Sequence, residues 1–225
     1  MKIIGDNVSL ADTGHATLMD RMYRHQRHIY DITRKYYLLG RDRTIAKLDV
    51  PEGGSLLEVG CGTGRNLLLA AKHFPTAKLH GLDISSEMLT TASENFGGHQ
   101  IRPVLRVSDA TAFRVTEFGR SAGFDRIMIS YALSMIPEWE KSIDRALQAL
   151  VPGGSLHIVD FGQQEHLPGW FRSLLQGWLT RFHVTPRANL RYVLEHLAGS
   201  HGATLEFEPI ARGYAWRAVL TLPKS

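Results

Sequence analysis

The chain has 225 residues, enough for one domain with a sizeable core, and at 44% hydrophobic and 21% charged its composition excludes a disordered polypeptide. No apolar run reaches the ~18 residues needed to cross a bilayer, and the N-terminal stretch MKIIGDNVSL lacks the apolar core of a signal peptide. The expected location is therefore the cytoplasm. Cys61 is the only cysteine, which excludes an internal disulfide, and without a CxxC pair or HExxH no metal site is expected. The formal net charge of +4 mildly favours anionic partners.

Residues 16–48 read as helical, closed by Pro51 and Gly53-Gly54. The stretch Arg21 to Arg43 clusters basic side chains among Tyr23, Tyr30, Tyr36 and Tyr37. SLLEVG is a short apolar strand, and Asn66 to Phe74 a helix stopped before Pro75. KLHGLDIS is a second strand, and SSEMLTTASENF a helix with Ser85 or Ser86 as its N-cap. PVLRVSDA makes a third strand and FDRIMISYALSMI a fourth, followed by a helix over 138–150. Val151-Pro152-Gly153-Gly154 reads as a turn into a fifth strand, SLHIVDF. Strands alternating with helices indicate βαβ units and a parallel sheet covered on both faces. ATLEFEPIA and YAWRAVLTLP are separated only by Arg212-Gly213, too little for a parallel crossover, so the last pair must be antiparallel. The expected fold is α/β: a doubly wound, mostly parallel seven-stranded sheet with an antiparallel C-terminal hairpin, in one domain.

The stretch LLEVGCGTGRN places Gly60, Gly62 and Gly64 at alternate positions behind Glu58. Glycines in a strand-to-helix turn allow a sharp bend and close approach of a ligand to the backbone. In an open α/β sheet, ligands bind at the C-terminal ends of the strands at the switch point, where such a turn feeds a helix N-terminus. Asp83 closes the second strand, the place for a carboxylate accepting both ribose hydroxyls. Asp109 ends the third, where an adenine amino group can be bound. The spacing Gly-x-Gly-x-Gly fails the dinucleotide fingerprint at its third glycine.

EVGCGTGRN, GLDIS and SDA, in that order at strand ends, resemble the motifs of class I S-adenosylmethionine-dependent methyltransferases across residues 50–222. The resemblance implies S-adenosylmethionine as cofactor and S-adenosylhomocysteine as product. It puts Gly60, Gly62 and Gly64 along the methionine part, with Glu58 orienting the loop and Asp83 on the ribose. Asp109 and Ala110 face the adenine, and Ser130 and Tyr131 lie beside the sulfonium. Cys61, Ile84 and Met88 join the same cofactor set, Cys61 as a small residue of a tight turn and not as a nucleophile.

HIYDITRKYYLLGRDRTIAKLDV resembles the segment before the first strand in lipid-headgroup and quinone methyltransferases, most closely the N-methyltransferases of betaine-lipid synthesis, which convert diacylglyceryl-homoserine to diacylglyceryl-trimethylhomoserine. By that resemblance residues 16–48 form a lid. His28, Tyr30 and Tyr37 close over the cofactor, and Arg41 and Asp42 fix the lid. Tyr30 and Tyr131 are the expected catalytic contacts, through cation–π attraction to the forming ammonium. Tyr37, Arg41, Tyr131 and Asp160 are expected on the substrate side, whereas His157 reads as a buried strand residue.

LPGWFRSLLQGWLTRF, residues 167–182, sets Leu167, Trp170, Phe171, Leu174, Leu175, Trp178, Leu179 and Phe182 on one helical stripe. Periodicity alone fits a helix on the core or a dimer interface. With the resemblance, Trp170 and Trp178 become acyl-chain contacts, with Arg172, Arg181 and Arg187 near lipid phosphates and the inner membrane face as a peripheral docking place. The expected partner is a lipid substrate; no nucleic acid is expected, and a homo-oligomer is left open. The alternatives are a quinone or other small-molecule C- or O-methyltransferase, then an RNA methyltransferase, then a non-enzymatic binding module.

Overall fold

The computed structural model describes residues 38–181 and 184–224. The expected lid residues His28, Tyr30 and Tyr37 lie outside the described residues. The strands are β1 Ser55–Val59, β2 Lys78–Asp83, β3 Val104–Val107, β4 Phe124–Ser130, β5 Leu150–Phe161, β6 Thr204–Ile210 and β7 Ala215–Thr221. They form one sheet in the order β3-β2-β1-β4-β5-β7-β6. The first five pair in parallel, whereas β7 runs antiparallel to both β5 and β6. This is the expected doubly wound sheet with its terminal hairpin.

The helices among the described residues are α1 Arg41–Ala46, α2 Arg65–His73, α3 Ser86–Asn95, α4 Trp139–Gln148, α5 Gly169–Arg181 and α6 Leu190–His201. Strand alternation sorts the core into two layers. Leu57, Val59, Ile127, Ile129, Leu156 and Ile158 pack with Trp139, Ile143, Leu190 and Leu194, beneath α4 and α6. Leu56, Leu79 and Met128 pack on the other face with Ile45, Leu67, Leu89 and Phe96 from α1, α2 and α3 and its cap. A third apolar cluster, Tyr131, Val159, Phe161, Leu179, Val184, Tyr214 and Ala215, sits at the C-terminal ends of β4 and β5 and the start of β7 and carries α5. Fully burying each large apolar side chain in these layers contributes about 1.5–3 kcal/mol.

Three expectations need correction, and one helix was not foreseen. The helix read over 16–48 is interrupted in its described part: Gly40 adopts φ 81°, and α1 runs only from Arg41 to Ala46. The Gly40 position is closed by Ile210 of β6, a neighbour distant in sequence, so helical periodicity alone could not mark the break. The turn read at Val151–Gly154 is part of β5, as an irregularity: Phe124 pairs with Leu150, but Arg126 already pairs with Ser155. The fourth strand ends at Ser130, six residues before the end of FDRIMISYALSMI, because Tyr131 has φ 53° and breaks the extended backbone. Helix α6 was not anticipated, although its buried Leu190, Val193, Leu194 and Ala198 follow a helical period and Gly202 caps it at φ 62°.

Candidate functional site

The sheet order reverses between β1 and β4, and this switch point is where an open α/β sheet binds ligands. The glycine turn follows β1 there. Gly60, Gly62 and Gly64 have φ of 71°, 52° and 74°, a region other residues enter at a cost. Two of the three also have packing reasons. A Cβ on Gly60 would stand 2.8 Å from the Ala132 Cβ, and one on Gly64 would stand 3.1 Å from the Ala92 Cβ of α3.

The loop is cross-braced to β2. The amides of Gly60 and Cys61 both donate to the Leu82 carbonyl at 2.9 Å. Gly62 N–H donates to Asp83 Oδ2 at 2.8 Å, and Ser85 N–H to Asp83 Oδ1 at 3.0 Å. Asp83 is therefore not the cap of α3. That role belongs to Ser85, whose hydroxyl accepts from Met88 N–H. Asp83 orders the loop and remains half-buried at its mouth. Asp109 likewise shapes its own turn, accepting from Thr111 N–H at 2.7 Å. Ile84 and Ala110 are half-buried and Met88 is buried.

A cavity of about 40 Å³ opens beside the loop, lined by Leu38, Arg41, Glu58, Gly60, Cys61, Thr63, Arg65, Asn66 and Ser130. Glu58 is buried and accepts from Asn66 Nδ2 at 2.7 Å, which ties the end of β1 to the first turn of α2. Ser130 is buried, and its hydroxyl has no partner among the described residues. Burial, with Asp83 and Glu58 nearby, pushes the Cys61 thiol up, so it stays protonated. Helix α2 begins on Gly64 with no side-chain cap, leaving its positive end to the cavity. The wall thus combines two guanidinium groups, a carboxylate, a helix N-terminus and an unpaired hydroxyl. Leu38, Thr63, Arg65 and Asn66 were not among the expected site residues; the signal for the last two was their position directly after the third glycine.

Arg41, expected on the substrate side, lines this cavity with the glycine loop. It is only 4% exposed, and its Nε meets Asp42 Oδ1 at 2.9 Å while Asp42 stays at the surface. Tyr131 is 2% exposed and turns its ring edge onto Phe161, with centroids 4.8 Å apart. Its hydroxyl donates to the Leu39 carbonyl at 2.6 Å. Asp160, near the end of β5, is buried, accepting from Phe161 N–H at 2.8 Å and from Ser134 N–H at 3.3 Å. Burial raises its pKa to about 6. It anchors the loop after β4, which Arg187 also holds through the carbonyls of Leu133 and Ile136. Arg187, expected near lipid phosphates, is thus engaged by backbone.

The stripe on α5 divides. Leu179 is buried, and Phe171, Leu175 and Trp178 pack on the third apolar cluster. Trp170 and Leu174 are instead 72% and 68% exposed. The two tryptophans expected to act together therefore face different surroundings.

Residues 56–154 match the family model of a methyltransferase domain. Trans-aconitate 2-methyltransferase of Variovorax paradoxus is 35% identical over 114 residues, 51% of this chain and 41% of that protein. Demethylmenaquinone methyltransferase of Desulfitobacterium hafniense is 24% identical over 147 residues, 63% of this chain and 57% of that one. The chain spans about half the length of these curated relatives. Among solved structures, the plantazolicin methyltransferase BpumL in complex with a triazolic desmethylPZN analog and SAH superposes with a TM-score of 0.69 at 14% identity, covering 95% of this chain and 97% of that one. A putative methyltransferase from Haloferax volcanii, solved with the Trm112 activator, gives 0.70 at 13% identity, covering 92% and 98%. The fold is the Rossmann-like fold of these solved methyltransferase structures.

Proposed function

We propose that the protein is an S-adenosylmethionine-dependent methyltransferase acting on a small acceptor with a substantial apolar portion. The cavity at the switch point carries this reading. The residues there fit the cofactor: an unpaired buried Ser130 hydroxyl, an uncapped α2 N-terminus, and Arg41, Arg65 and Glu58 lining one cavity suit a zwitterionic amino-acid tail. Asp83 would hold the ribose, and Asp109 with Ile84 and Ala110 would border the adenine. When bound, the cofactor supplies a methyl carbon on a sulfonium, for in-line attack by the acceptor. The chain's own work is alignment and exclusion of water, worth several kcal/mol of the barrier. The Glu58–Asn66 and Asp83–Gly62 bonds hold the loop in place before the ligand arrives.

For the acceptor, support comes from α5, which packs Phe171, Leu175 and Trp178 on the buried cluster and leaves an apolar surface at the exposed Trp170 and Leu174. That surface suits a lipid-like molecule better than a polyanionic acid. We retain the amine of a lipid headgroup, as in diacylglyceryl-homoserine, as the first reading on the N-terminal resemblance. A quinone-type ring is the second, favoured by the demethylmenaquinone relative. Methyl-labelled S-adenosylmethionine incubated with the protein and, separately, total lipid extract, a reduced demethylated quinone and trans-aconitate tests this. Label in a lipid or quinone product supports the proposal; label in trans-aconitate alone contradicts the apolar acceptor, and no transfer to any contradicts the reading of the domain.

A further inference from the structure

Tyr131 has an unusual backbone and a committed hydroxyl. It is a non-glycine residue at φ 53°, held by its own N–H donating to the Val159 carbonyl at 2.8 Å. Such a conformation persists only where the surroundings over-determine it. Its result here is to send the side chain beneath the start of α1, where the hydroxyl donates to Leu39. Leu39 lies between Leu38 and Arg41, two residues that line the cavity.

Helix α1 is pinned independently elsewhere. Arg126 Nε donates to the Leu48 carbonyl at 2.8 Å, and Arg43 pairs with Glu208 at 2.8 Å. Ile45 and Leu48 are buried in the face beneath. The N-terminal end is fixed by Ile210 against Gly40, by Leu38 packed on the third apolar cluster, and by the Tyr131 hydrogen bond. The Tyr131 bond is thus a polar fixing of the Leu38–Arg41 turn, separate from the contacts that dock the rest of α1.

We infer that Tyr131 is a positioning residue for recognition of the cofactor's amino-acid tail, acting through Leu39 to hold the Arg41 guanidinium in the cavity. The inference rests on the cofactor reading proposed above. Arg41 supplies the charge for the carboxylate of the tail, and Tyr131 sets its place.

The test compares two ligands that share the adenosine and the sulfur. S-adenosylhomocysteine carries the amino-acid tail, and 5′-methylthioadenosine lacks it. Calorimetry on the wild type should show tighter binding of the former. Tyr131→Phe should weaken S-adenosylhomocysteine about tenfold, as for one lost hydrogen bond in a buried setting, and leave 5′-methylthioadenosine unchanged. Arg41→Gln should give the same selective loss, and the double variant little beyond the larger single effect. Gly40→Ala, whose new Cβ meets Ile210, displaces the same turn with Tyr131 intact and should reproduce the selectivity. Equal losses on both ligands, or unchanged binding in Tyr131→Phe, would overturn the inference while the cofactor reading stood. A wild type that binds neither ligand would overturn both.

Discussion

His157 and Asp160 stand on the same strand, β5, and face opposite sides of the sheet, and burial drives both toward their neutral forms. Burial, with Arg217 and Arg126 adding to it, lowers the His157 pKa to about 3, and its Nε2 shares a 2.9 Å hydrogen bond with Ser155 Oγ. The Asp160 pKa is raised to about 6. The two linkages have opposite signs. His157 favours the fold fully above its ordinary value of 6.5 and loses that contribution as pH falls toward 3. Asp160 favours the fold fully below its ordinary 3.8 and loses that contribution as pH rises through about 6. Between those limits they offset each other. Asp160→Asn should therefore leave a melting temperature that rises steadily with pH over that window, and His157→Gln one that falls. Melts in both variants that track the wild type would contradict the assignment.

The glycine turn gives a graded stability series. Gly64→Ala and Gly60→Ala combine positive φ with a crowded Cβ, against Ala92 and Ala132 respectively. Gly53→Ala has positive φ but nothing within 4 Å. The backbone term alone costs about 1–2 kcal/mol, so Gly53→Ala should lose that much and the other two more. Chemical denaturation checks the order. Equal losses at all three would mean that packing of the turn on α3 and Ala132 adds nothing.

Asp83→Ala should act twice. It removes the acceptor for the Gly62 and Ser85 amides and the group expected at the ribose. Charged hydrogen bonds are worth about 1.5–3 kcal/mol each, so affinity for S-adenosylhomocysteine should fall at least tenfold along with some loss of melting temperature. Calorimetry showing unchanged affinity would remove Asp83 from the site.

On α5, exposure predicts which residues matter to the fold. Trp170→Gln and Leu174→Gln should leave the melting temperature nearly unchanged, because both side chains are exposed. Leu179→Ala, at a buried position of the same helix, should cost about 2–5 kcal/mol. If the exposed pair handles an apolar acceptor, the double Gln variant keeps activity on a short-chain soluble analogue and loses it on the long-chain substrate. Equal loss on both would assign the pair to another task.

Much of this was legible from local signals. Alternation of short apolar strands with helices carried the sheet, and the two-residue Arg212-Gly213 link required the antiparallel hairpin. The glycine spacing, with Asp83 ending β2 and Asp109 in the turn two residues past the end of β3 rather than on the strand itself, pointed to the C-terminal end of the sheet. What stayed hidden depends on partners distant in sequence. Gly40 breaks the helix where Ile210 fills the space, and the Tyr131 hydroxyl reaches Leu39, a contact no spacing announces. The α5 stripe was visible as periodicity, but sequence could not say that the core covers Phe171, Leu175 and Leu179 and leaves Trp170 and Leu174 outside.

The central claim is the cofactor, and calorimetric titration of the purified protein with S-adenosylhomocysteine, with NADH as the control, tests it most directly. The account predicts one site per chain at micromolar affinity for S-adenosylhomocysteine and no heat beyond dilution for NADH. NADH binding of equal strength, or no binding of S-adenosylhomocysteine, would contradict it.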